Sequence, residues 1–145
     1  MLKNDIQNTV NNYLKARKTL EVKVLRFILS EIKYAEIEKQ KELTDTEVIS
    51  LLQKEIKKRR EAIEMFKKGN RSDLVTDEKA QMAVIMKFLP KALSKEELEK
   101  IVDEVFSTLG EEKNMGKIIG LVMAKVKGKA DGSVVASLVR QKLQE

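Results

Sequence analysis

The sequence predicts an all-α protein, and three observations carry that prediction. Apolar residues recur every three or four positions almost throughout its 145 residues, the spacing that gives a helix one buried face. Aromatic residues make up only 4% of a composition dominated by Leu, Ile, Val, Lys and Glu. Gly69, Pro90 and Gly110 fall between the periodic stretches, where chain breaks are needed. The predicted architecture is a four-helix N-terminal unit, residues 1–90, followed by a small three-helix C-terminal bundle, residues 91–145.

The first helix is expected over residues 2–15, with Leu2, Ile6, Val10 and Leu14 on one face. The second, over 19–40, buries Val24, Leu25, Ile28, Ile32 and Ala35. Thr44 and Glu47 have capping-box spacing, in which hydroxyl and carboxylate each satisfy a free backbone N–H, so a third helix starts there. Gly69 stops it. A fourth helix between 72 and 88 presents Leu74, Val75, Met82, Ile85, Met86 and Leu89.

Pro90 forbids smooth continuation, since proline lacks an N–H and disfavours helical geometry in the residue before it. Ser94 and Glu97 form a second capping box, opening a fifth helix striped by Leu98, Ile101, Val102, Val105, Phe106 and Leu109 and ended by Gly110. A sixth covers 114–126, and Asp131 caps a seventh from 132 to 144. Residues 91–145 are too few for a large core, so packing against the N-terminal helices or another chain is expected to help them.

The chain has neither cysteine nor histidine. That removes disulfides, thiolate chemistry, the usual neutral-pH general base, the Ser–His–Asp systems and nearly all zinc sites. No Walker loop, nucleophile elbow or dinucleotide fingerprint occurs. Carboxylates are numerous but fall on outward helix faces without a converging pair, so acid–base hydrolysis has no support. No catalytic residue, metal site, cofactor or small-molecule substrate is expected. No apolar run approaches the ~20 residues of a membrane span. Asn4, Asp5 and Gln7 break any signal-peptide core, which leads us to expect a cytoplasmic protein with no membrane partner.

The net charge of +6 fits a polyanionic partner, though alone it decides only solubility and nonspecific association. Its placement says more. Residues 95–112 hold two Lys against seven acids, whereas residues 113–145 hold seven Lys and Arg against two. Within the basic part, Gly116 and Gly120 lie four apart on the sixth helix. Glycine there costs about 1 kcal/mol relative to alanine, so close crossing by another helix is the expected reason. Gly128 and Gly132 lie in the following turn, where they permit positive φ angles. Lys125, Lys127 and Lys129 surround the start of the seventh helix, whose free N–H groups make a natural anion seat.

On the third helix, Arg59 sits in the middle of the face formed by Val48, Leu52, Ile56, Ile63 and Phe66. Either its stem is buried and its guanidinium meets a carboxylate such as Glu36, or it is held to grip phosphate bidentately. Lys54, Lys57, Lys58 and Lys68 lie opposite, interleaved with Glu61 and Glu64, as a solvated face with helical ion pairs or as an aid to RNA binding. Arg26 and Lys33, seven apart on the outside of the second helix, are equally open. The two Tyr and four Phe fall mostly at core positions, so base-stacking platforms are not expected.

The pattern M-G-K-I-I-G-L-V-M-x-K-V-K-G-K-A-D-G, residues 115–132, resembles the closing motif of the YqeY-like family, related to the tail of the B subunit of tRNA-dependent amidotransferases. Val24-Leu25-Arg26, Glu36-Ile37-Glu38, the run from Lys54 to Glu61 and Phe88-Leu89-Pro90 extend the resemblance over the whole chain. It implies a tRNA-associated role, since that tail touches the bent body of tRNA while other domains perform transamidation. The reaction does not carry over, because the amidase and kinase portions have no counterpart here; any carbon–nitrogen ligase activity belongs to the larger enzyme. The expectation is shape and phosphate recognition of tRNA by Lys117, Lys125, Lys127, Gly128, Lys129 and Gly132, helped by Lys54, Lys57 and Lys58. The competing expectation is a protein–protein adaptor that docks on a translation-related enzyme or complex.

Overall fold

A computed structural model describes residues 1–144. Seven helices run in order among them: α1 (Leu2–Lys15), α2 (Thr19–Lys39), α3 (Asp45–Lys68), α4 (Ser72–Met86), α5 (Lys95–Leu109), α6 (Met115–Val126) and α7 (Gly132–Leu143). No strand occurs among the described residues. No helix among them is long and apolar enough to cross a membrane. The chain divides into two compact units, Met1–Leu89 and Pro90–Glu145.

In the first unit, the Lys3 ammonium lies 2.8 Å from Glu36 Oε1, tying the start of α1 to the end of α2, so these helices run antiparallel. The turn between them places Arg17 in the left-handed region, φ 58°. Ile6, Val10, Leu25, Ile28, Ile32, Val48, Leu52 and Ile85 are among the residues that close one core. Two residues expected on buried faces are half-exposed, Leu14 and Met86. Both lie in a last helical turn, and in α4 the buried positions are Val84 and Ile85 instead.

The start of α3 shows how local chemistry positions an element. Thr44 Oγ1 accepts the Glu47 N–H at 3.2 Å, and the Thr44 N–H donates to Glu47 Oε1 at 3.2 Å, completing the capping box. Glu47 Oε2 also lies 2.6 Å from the Lys39 ammonium. The bond from Lys39 first, and then the Thr44 N–H, pull the Glu47 carboxyl down to about 2. A carboxyl with a lowered folded-state pKa stabilises the fold above its ordinary value of 4.5 and loses that contribution as pH falls towards 2. We expect a carboxyl-carbon NMR titration to place the Glu47 midpoint near 2, with the Glu47 and Val48 amide shifts following it. A midpoint above 4 would remove the Lys39 contact from the solution structure.

The second unit has a core of its own, against the expectation that it needs outside packing. Leu98, Val102 and Val105 of α5, Ile118, Val122 and Val126 of α6, and Val135 and Val139 of α7 are all buried together. Three narrow stripes of mostly β-branched side chains converge, which lets short helices exclude water. The Leu93 N–H donates to the Lys129 carbonyl at 2.9 Å, tying the chain before α5 to the α6–α7 turn. Ser94 and Glu97 form the second capping box.

Candidate nucleic-acid interface

Helix α6 begins where the Asn114 side chain accepts the Lys117 N–H at 3.1 Å. Its buried stripe is Ile118, Val122 and Val126, so the opposite side carries Gly116, Gly120 and Ala124, all exposed. A Cβ built on Gly120 would meet no atom within 4 Å, and one on Gly116 would meet only Asn114 Oδ1, at 3.4 Å. The expected close helix crossing is therefore absent among the described residues: these glycines leave a strip of bare helix facing outward. Lys113, Lys117, Lys125 and Lys127 flank it, all exposed. Leu121 beside them is 41% exposed.

The cations differ in what they already touch. Lys117 lies 3.2 Å from Glu112, and the Asn114 N–H together with that ammonium holds the Glu112 carboxyl below the usual range. Lys125 lies 3.5 Å from an exposed Glu104 carboxylate. Lys127 and Lys129 are exposed, and neither ammonium has an ion-pair partner among the described residues.

In the α6–α7 turn, Lys127 itself takes the left-handed cap, φ 50°, and Gly128 follows at φ 81°. Gly132 is different from what its place suggested. It opens α7 with no positive φ, and its nearest neighbour for an added Cβ is Met123 Cε at 4.0 Å. The start of α7 also carries its own anion, since Asp131 Oδ1 accepts both the Ser133 N–H and hydroxyl at 2.8 Å. An incoming phosphate would meet that carboxylate, which shifts the favourable ground to Lys127, Lys129 and the α6 face.

In the first unit, Arg59 is bound internally, but not to Glu36. Its Nη1 donates to Glu55 Oε2 at 2.8 Å and to the Glu55 carbonyl at 3.2 Å, while its guanidinium carbon stands 5.7 Å from the Phe27 ring centroid. Glu36 instead accepts from Lys3 and from the Leu43 N–H, and these bonds, in that order, lower its pKa. Glu55, which the helical wheel passed over, is the buried acid among the described residues, 4% exposed. Its only sequence signal is its place four residues before Arg59, the reach of one helical turn. Lys58 also touches Glu55, at 3.2 Å, whereas Lys54 and Lys57 are exposed without an ion pair among the described residues. Two aromatic residues expected in the core are not: Tyr34 is 69% exposed and Phe27 44%.

Fold and site together define a helical protein with an outward glycine strip among lysines. The chain belongs to the YqeY-like family, whose model, described as Yqey-like protein, matches residues 3–143. Altered inheritance of mitochondria protein 41, mitochondrial, of Pyrenophora tritici-repentis is 30% identical over 143 residues, covering 97% of this chain and 77% of that protein. An uncharacterized protein of Schizosaccharomyces pombe is 37% identical over 89 residues, covering 61% of this chain and 72% of that protein. One of the glutamyl-tRNA(Gln) amidotransferase subunits of Aeropyrum pernix is 43% identical over 61 residues, which is 38% of this chain and only 10% of that protein.

Proposed function

We propose that this protein is a tRNA-binding helical module that recognises backbone phosphates and shape and performs no catalysis of its own. The observation that carries this reading is the open strip at Gly116 and Gly120. Each glycine within a helix costs up to about 1 kcal/mol, no described residue crosses there, and exposed lysines line both sides. A partner that brings its own backbone close and carries negative charge satisfies both features. The similarity to part of a glutamyl-tRNA(Gln) amidotransferase supports tRNA as that partner.

In this reading the four helices of the first unit form one domain and the three helices of the second form the RNA-facing bundle. Lys127 and Lys129 supply free charge, Lys117 and Lys125 exchange weak internal partners for phosphate, and Gly128 lets the turn come close. Lys54, Lys57 and Lys58 add contacts from α3. A cytoplasmic location belongs to the same proposal, beside relatives whose names place them in mitochondria. The exposed Leu121 favours a second reading, an adaptor in which a protein helix lies on the glycine strip.

Titration with bulk tRNA at several salt concentrations tests the choice. Each phosphate neutralised contributes a log–log slope of roughly 0.7 to 0.9, so joint change of Lys125, Lys127 and Lys129 to Ala is expected to flatten the slope by about two units. Gly120→Ala is expected to raise the melting temperature, through a gain of about 1 kcal/mol, while weakening tRNA binding. Gly120→Ala that stabilises without touching affinity, or a triple lysine variant that binds as before, would remove this surface. Salt-insensitive capture of a protein that Gly120→Ala abolishes would select the adaptor.

A further inference from the structure

The outer face of α2 is built differently from the rest of the surface. At 100° per residue, Lys23, Arg26, Ser30, Lys33 and Ile37 fall on one solvent-facing stripe, and all five are exposed. No acid lies on this stripe. None of its three cations has an ion-pair partner among the described residues. Phe27 and Tyr34 stand directly beside Arg26 and Lys33, so a cation–aromatic pair repeats after seven residues, about 10 Å along the axis. Tyr34 is 69% exposed and Phe27 44%, and Arg59, anchored on Glu55, backs the Phe27 ring.

We propose that this face binds unpaired nucleotides of RNA, with Lys23, Arg26 and Lys33 on the phosphates and Tyr34 and Phe27 stacked against bases. It takes from the proposed function only that the polyanion is RNA; the surface, the unit and the form of RNA are different. Cations that follow a backbone beside rings that take base faces are what single strands require, whereas a duplex hides its base faces. Glu31 and Glu38 lie on the far side of Tyr34, lining the groove towards α3, so they border the rings without interrupting the cationic stripe. A membrane is disfavoured because the apolar face of α2, Val24, Leu25, Ile28 and Ile32, is already buried in the core. A second copy across a two-fold axis would set these cations against one another.

The test uses the full chain and a labelled oligouridine of about ten nucleotides, followed by fluorescence anisotropy. Tyr34→Ala is expected to lower its affinity about tenfold, Tyr34→Phe to keep it, and joint Arg26→Ala and Lys33→Ala to flatten its salt dependence. Tyr34 is largely exposed, so its removal leaves folding intact. The variant lacking Lys125, Lys127 and Lys129 is expected to bind the oligouridine normally while losing tRNA, which separates failure of this proposal from failure of the previous one. Equal affinity for a short RNA duplex, or indifference to Tyr34→Ala, would overturn the assignment. So would binding to anionic lipid vesicles, or a dimer lost with Tyr34→Ala, in the absence of oligouridine binding.

Discussion

Glu55→Ala is expected to destabilise the first unit by about 3 to 5 kcal/mol, far beyond the usual effect of deleting a helical glutamate. Glu55 is 4% exposed and accepts from Arg59 at 2.8 Å and from Lys58 at 3.2 Å. Lys58 is solvated and loses little. The Arg59 side chain is only 11% exposed, and its buried Nε has no hydrogen-bond partner even with Glu55 present. Without the carboxylate, the Phe27 ring is the remaining compensation for a buried cation, worth about 0.5 to 2 kcal/mol.

The control is the joint change Glu55→Leu and Arg59→Met. Replacing both ions by apolar groups of similar volume removes their desolvation penalty along with their attraction, so most of the lost stability should return. Urea unfolding of the single and double variants measures both. A loss under about 1 kcal/mol for Glu55→Ala would mean that water reaches the pair in solution.

Ile118→Ala is the second large expectation, at about 2 to 5 kcal/mol. Ile118 is fully buried among Val102, Val105, Val122 and Val135, on the central helix of the second unit's core. Units of this size have roughly 0.05 to 0.15 kcal/mol of stability per residue, so one cavity removes much of the total. Hydrogen exchange should show α5, α6 and α7 losing protection together, and tRNA binding should fall with them. Gly120→Ala, two residues along the same helix, is expected to stabilise, because its new methyl group meets nothing. Similar protection in the Ile118→Ala variant and the parent would show that the unit relaxes around the cavity.

The helices were readable from the sequence to within a residue or two, because their determinants are local. Thr44 with Glu47, Ser94 with Glu97, and Asp131 each act within one turn, and periodicity reports a buried face without saying what covers it. The same locality explains the misses. Arg59 on an apolar stripe demanded a carboxylate, but whether Glu36 or Glu55 supplied it depended on how α2 and α3 approach each other. Phe27 and Tyr34 looked like core residues by type; they sit just beyond the edge of the face that α2 buries.

From the sequence by itself came the all-helical fold, the ends of its helices, the uneven placement of charge and the motif of the family, since propensity, capping and composition act between neighbours in the chain. Only the tertiary structure decided that Glu55 is buried, that Asp131 occupies the start of α7, and that Gly116, Gly120 and Tyr34 face outward. Those outcomes depend on which helix faces other helices cover, and a helix bears no mark of its neighbours until it is packed.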